Sequence, residues 1–78
     1  MVRAEFTVFP FRESGALPPH AQAAVDAATA SGLEVDVGPL SNVVEGDLAD
    51  VLDGLRAAEE AAFAAGADRF TLNLERVS

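Results

Sequence analysis

The chain predicts a two-layer α+β sandwich, four strands beneath two helices in the order β-α-β-β-α-β, and three observations predict it. Apolar and polar residues alternate at both chain ends, over Val2–Phe9 and over Arg69–Val77. Two alanine-rich stretches with apolar residues at helical spacing lie between them. The residues from Gly32 to Gly46 hold a short hairpin candidate that turns at Gly38-Pro39.

Val2, Ala4, Phe6 and Val8 alternate with Arg3, Glu5, Thr7 and Phe9, the period-two signature of a strand with one face in a core. The second face is too mixed for plain solvent and too polar for a core. It fits an exposed antiparallel face carrying an Arg-Glu neighbour pair, worth only ~0–1 kcal/mol, or a surface covered by a second subunit. Pro10 ends the strand, and FRESGAL over residues 11–17 has the glycine, serine and charge content of a loop. Pro18-Pro19 sets up a helix start, since proline's missing N–H costs nothing in a first turn. This helix runs from about His20 to Ala30, with Ala21, Ala24, Val25 and Ala28 as its inner stripe and Gly32 as its left-handed C′ residue. His20, the single histidine, has no orienting partner in the local sequence and is given no catalytic role.

In the hairpin, a strand over Leu33–Val37 puts Val35 and Val37 on one face and Glu34 and Asp36 on the other. A second strand through Asn42–Glu45 that points Val44 into the core points Val43 and Glu45 toward the acidic face. The next helix has the clearest signals. Asp47 stands at the N-cap and Asp50 at N3, a spacing like that of a capping box. Leu48, Val51, Leu52, Leu55, Ala58, Ala62 and Phe63 mark its apolar stripe down to Gly66. Gly54 inside it costs about 1 kcal/mol relative to alanine, which suggests a close approach by neighbouring backbone. The last strand, Arg69–Val77, points Phe70, Leu72 and Leu74 inward and Thr71, Asn73 and Glu75 outward.

Short connections and right-handed crossovers then select a ferredoxin-like topology for a single domain over residues 1–78, a four-stranded antiparallel sheet with both helices on one face. The uncovered face carries Glu5, Thr7, Phe9, Glu34, Asp36, Val43, Glu45, Thr71 and Asn73, with Arg3 as its only arginine.

Composition narrows the function. The formal net charge is −8, from 13 Asp plus Glu against 5 arginines and no lysine. Nucleic acid and anionic membrane surfaces require a basic patch, whereas a cationic small molecule suits this field. There is no cysteine, so neither a disulfide framework nor a thiolate metal site exists. Arg3, Glu5 and Pro10 interrupt the apolar N-terminal run and defeat a signal peptide or membrane span, so the expected location is cytoplasmic. A chain this short has a thin core, and a homo-oligomer is expected. No phosphate-binding glycine loop, nucleophile elbow or zinc-binding histidine pair occurs, and an enzyme is not expected. Binding a small molecule remains open, because it needs only a groove and a few placed polar groups. The competing readings are a structural homo-oligomer with no ligand and, ranked last, a divalent-cation site of clustered oxygens.

AEFTVFPF at 4–11, SGLEVDVGPLSNVVEG at 31–46 and AAFAAGADRF at 61–70 together resemble the thiamine-binding protein family of the YkoF-like superfamily, over nearly the whole chain. Thr7 and Pro10 match its strand-and-turn positions, Gly38-Pro39 its turn and Glu45-Gly46 its acidic strand end. Ser41-Asn42 stands where the family usually has glycine-threonine, and His20 where it usually has tyrosine. The resemblance implies ferredoxin-like subunits joined through their sheets into dimers or tetramers, binding thiamine or its hydroxymethylpyrimidine part near the interface, with no cofactor. Glu5, Thr7, Phe9, Asp36, Ser41, Asn42, Glu45 and Asn73 form the candidate ligand-facing set. Carboxylates at Glu5, Asp36 and Glu45 suit the thiazolium charge and the amino group, and the Phe9 ring suits stacking or a cation–π contact.

Overall fold

A computed structural model describes residues 1–10 and 17–77. The elements follow the expected order: β1 (Val2–Phe9), α1 (Pro19–Ala30), β2 (Asp36–Val37), β3 (Asn42–Gly46), α2 (Leu48–Ala64) and β4 (Arg69–Arg76). The sheet is antiparallel throughout with strand order β2-β3-β1-β4, the ferredoxin-like arrangement. The expected loop at residues 11–17 lies, apart from Leu17, outside the described residues. No helix among the described residues is long and apolar enough to cross a membrane.

β1 is central, paired on both sides, and its period-two pattern is obeyed in full. Ala4, Phe6 and Val8 are 0–2 % exposed beneath the helices, and Phe6 stacks on Phe70 with ring centroids 5.2 Å apart. The odd-numbered residues of β1 line the uncovered face. Both helices end as their glycines predict. Gly32 and Gly66 each take φ +103°, and the paired bonds Leu33 N to Ala28 O (3.2 Å) and Gly32 N to Thr29 O (3.0 Å) are repeated by Ala67 N to Ala62 O (3.0 Å) and Gly66 N to Phe63 O (3.1 Å). These are Schellman caps, which satisfy carbonyls the last turn leaves open. Ala24, Ala28, Ala58 and Ala62 are fully buried, and α1 packs chiefly against α2, so its small residues serve a close helix–helix contact as well as the sheet.

Four expectations are corrected. The strand expected over Leu33–Val37 is reduced to Asp36–Val37, because the Schellman cap takes the Leu33 N–H and the Leu33 side chain turns into the core. Asp47 holds the N-cap position but makes no side-chain cap bond; the first turn closes through Val51 N to Asp47 O at 2.9 Å. On α2 the buried arc is Val51, Gly54, Leu55, Ala58 and Ala62, narrower than the expected stripe, while Leu48, Leu52 and Phe63 remain about half exposed on the flank roughly opposite Gly54. Leu72 and Leu74 sit directly across from Phe6 and Ala4 and so face the helix layer, yet they stay 38 % and 39 % exposed because β4 is an edge strand that the helices scarcely cover.

A close approach does occur at Gly54, but side chains make it and not the expected backbone. A Cβ there would lie 2.2 Å from Leu33 Cδ1 and 2.9 Å from Ser31 Oγ.

Candidate functional site

The uncovered sheet face assembles the acidic residues that alternation assigns to it. Glu5 of β1 stands directly across from Val43 of β3 and Asn73 of β4, while Arg3 stands across from Glu45 and Glu75. β2 adds Asp36 opposite Val43. Together with Glu34 these residues line a shallow depression of about 1070 Å³. A smaller one of about 260 Å³ adjoins it, lined by Thr7, Ser41 and Thr71, and Glu5 and Asn73 belong to both. Five carboxylates, Glu5, Glu34, Asp36, Glu45 and Glu75, thus surround one guanidinium, that of Arg3, in the larger depression.

Arg3 does not treat its partners equally. Its Nη2 donates to Glu75 Oε1 at 2.7 Å, while Nη1 stays 3.8 Å from Glu45 Oε2. The hydrogen bond to Glu75 and then its charge hold the Arg3 guanidinium above its ordinary value, against desolvation and with smaller help from Glu45 and Glu5. A cation raised in this way stays fully charged across the neutral range, so the Arg3 side of the pairing does not vary there. Glu45 is the more weakly engaged carboxylate of the two.

The turn between β2 and β3 is tied to this face. Gly38 N donates to Ser41 O at 2.8 Å, Thr7 Oγ1 donates to Leu40 O at 3.0 Å, and Ser41 Oγ donates to Glu5 Oε2 at 2.8 Å. Thr7 and Ser41 therefore position the turn and orient Glu5, with Leu40 held at the rim, 65 % exposed.

Six of the eight predicted residues come together here: Glu5, Thr7, Asp36, Ser41, Glu45 and Asn73. Asn42 does not. It lies directly across from Phe6 and therefore on the helix side, 5 % exposed, with Nδ2 donating to Phe6 O at 3.3 Å and Oδ1 unpartnered among the described residues. The same alternation that points Val44 inward points Asn42 inward, two residues earlier. Phe9 lies on the open face but lines neither depression. The Arg69 guanidinium sits over its ring, 4.2 Å from the centroid. Arg69 is thus a second arginine on this face, a correction readable from its parity with Thr71 and Asn73. Glu34, in the segment before β2, and Glu75, by its parity in β4, extend the candidate set. His20 Nε2 donates to the Pro10 carbonyl and anchors the start of α1 to the end of β1. Among the described residues no group of three or more His, Cys, Asp or Glu is arranged to hold a metal ion.

The fold recurs in solved structures. A domain of unknown function from Bacillus cereus matches at 26 % identity with a TM-score of 0.70, over 95 % of this chain and 71 % of its own. A protein from Thermotoga maritima, described provisionally as a thiamine biosynthesis/salvage protein, matches at 27 % identity with a TM-score of 0.67, over 95 % of this chain and 78 % of its own. A hypothetical protein from Methanocaldococcus jannascii shares the fold at 24 % identity with a TM-score of 0.70, over 96 % of this chain and 79 % of its own. No curated protein matches. The sequence profile of the family described as thiamine-binding protein covers residues 4–76, which takes in both helices and all four strands except the first two residues of β1. The chain belongs to the thiamine-binding protein family.

Proposed function

We propose that the uncovered sheet face binds thiamine, or its hydroxymethylpyrimidine part, without catalysing a reaction, and that the ligand is held where two subunits bring these faces together. The observation that carries this reading is the five-carboxylate depression around a single, already paired guanidinium. Thiamine offers a permanent thiazolium charge and an aminopyrimidine donor. A carboxylate accepts from the amino group and balances the thiazolium, and Asn73 supplies both a donor and an acceptor. The depression is open, so one subunit alone leaves such a ligand half in water, and a second subunit closing over it strengthens each contact by excluding solvent. The family match and the Thermotoga neighbour's thiamine association support the same ligand class.

Titration calorimetry with thiamine tests the reading: saturable heat is expected, and its absence at millimolar thiamine leaves the structural homo-oligomer as the better account. Free thiamine is expected to bind about tenfold or more tightly than its diphosphate at one fixed salt concentration. A diphosphate tail meets five carboxylates, and Arg3 and Arg69 are engaged by Glu75 and Phe9. Equal or reversed affinities show that the acidic field is not what selects the ligand.

Glu45 is the carboxylate expected to matter most. Glu45→Gln keeps the shape and removes the charge, with an expected loss of roughly 1–3 kcal/mol in binding. The melting temperature without ligand is expected to stay put, because Arg3 keeps its 2.7 Å bond to Glu75 and an exposed pair as long as 3.8 Å contributes little. Unchanged affinity with a lowered melting point would make Glu45 a structural partner of Arg3 instead.

A further inference from the structure

Among the described residues no strand pairs with the outer edge of β4, and the proposed ligand contacts do not use its backbone. β4 ends the sheet and pairs without interruption along its full eight residues with β1. Val77 N–H donates to Met1 O at 3.2 Å, continuing the register that sets Arg76 across from Val2. Antiparallel alternation then turns the N–H and C=O groups of Arg69, Thr71, Asn73 and Glu75 toward β1 and those of Phe70, Leu72, Leu74 and Arg76 outward. Of the usual protections of an edge, β4 has charged residues only at its two ends, and it has no proline, no lysine and no bulge against β1 over Arg69–Arg76. Its helix-side apolar residues Leu72 and Leu74 are uncovered.

We propose that this edge pairs with a second copy of the chain, β4 against β4, antiparallel about a two-fold axis at Leu72, to give one continuous eight-stranded sheet. The order of charges along RFTLNLER, residues 69–76, selects both partner and register. With Leu72 facing its own mate, Phe70 faces Leu74, Thr71 faces Asn73 and Arg69 faces Glu75. The two-fold axis repeats the Arg69–Glu75 pair, so two opposite-charge pairs form across the junction, the arrangement that stabilises cross-strand neighbours. Centring on Asn73 sets Thr71 against Glu75 and Phe70 against Arg76; centring on Thr71 sets Arg69 against Asn73. Neither register forms a charge pair. Half-steps between them place facing side chains on opposite sides of the sheet. In the Leu72 register the even residues, whose backbone groups point outward, are the ones that exchange hydrogen bonds. On the open face a ladder runs from Phe9 through Arg69 to Glu75, Arg3 and Glu45 of the copy, alternating in charge along rows that each subunit already forms. An unrelated strand has no reason to carry this self-complementary order, and a second copy carries it by symmetry. The pairing does not depend on any ligand.

The chain has no cysteine, so single cysteines report the register. Facing residues of a hydrogen-bonded antiparallel pair have Cα atoms about 5.5 Å apart, inside the ~4.4–6.8 Å range of disulfides. Oxidised Leu72→Cys is expected to run mainly as a disulfide dimer on a non-reducing gel, while Asn73→Cys and Leu74→Cys remain monomers. Light scattering of the unmodified chain at high micromolar concentration is expected to give about twice the 8.1 kDa chain mass. Arg69→Glu and Glu75→Arg are each expected to weaken dimerisation about tenfold, and the double exchange to restore it. This charge cycle carries the test if a cysteine variant fails to fold. A monomer throughout, or a dimer that cross-links through Thr7→Cys on the open face and ignores the charge exchange, overturns the proposal.

Discussion

Phe6→Ala is expected to cost roughly 3–5 kcal/mol of stability, the range for removing a fully buried aromatic. For a domain this size the total is only a few to about 12 kcal/mol, at roughly 0.05–0.15 kcal/mol per residue, so a large fraction of molecules should be unfolded well below the normal melting temperature. Phe6 is 1 % exposed, lies on an inner strand paired on both sides, stacks on Phe70 at 5.2 Å and presents the carbonyl that receives Asn42 Nδ2. Removing the ring leaves a void between sheet and helices that the neighbouring small residues do not fill. The site follows the core, since Arg3, Glu5 and Thr7 stand on the same strand. Urea denaturation followed by circular dichroism measures the loss, with Phe6→Leu as a control that should cost markedly less. A loss below about 1 kcal/mol for the alanine variant would place the centre of the core elsewhere.

Gly54→Val is expected to lower stability by roughly 1–3 kcal/mol, and Gly54→Ala by less, although intrinsic helix propensity alone favours alanine over glycine by about 1 kcal/mol. The close approach decides the sign. A Cβ at 2.2 Å from Leu33 Cδ1 displaces a side chain that is itself 8 % exposed, and the neighbouring Ser31 Oγ, 2.9 Å away, is held by its bond to Ala28 O at 2.7 Å. Leu33 leads into Glu34 and Asp36, so the displacement reaches the acidic face. Thermal melts check this, each kcal/mol moving the midpoint by roughly 4–8 °C in a domain of this size. A midpoint that rises in Gly54→Ala would show that Leu33 yields freely and propensity wins.

The acidic face was legible in sequence because strand alternation is a local rule. Once Phe6 and Val8 are assigned to the core, Glu5 and Thr7 must face away from it, and the same holds for Glu45 once Val44 is inside. Asn42 shows the rule applied incompletely: its parity with Val44 puts it under the helices, but its polarity and its place beside Ser41 drew it into the ligand-facing set. Arg69 stands at a strand boundary, where the face a residue takes depends on where pairing begins. The Phe9 pairing in the structure begins at Arg69 itself, and that brings the guanidinium over the ring.

By itself the sequence determined the element order, the helix ends at Gly32 and Gly66, the close approach at Gly54 and the side of the sheet on which the carboxylates collect. Each of these rests on a preference that a residue expresses within a few positions of itself: alternation, a left-handed turn, or the missing Cβ. Only the tertiary structure decided which strand is central and which is an edge. That choice leaves Leu72 and Leu74 uncovered, gives Arg3 to Glu75 in preference to Glu45, and shortens β2 where a helix cap claims the Leu33 N–H. These outcomes depend on contacts between residues distant in the chain, or on competition for one donor, and no local pattern records who the partner will be.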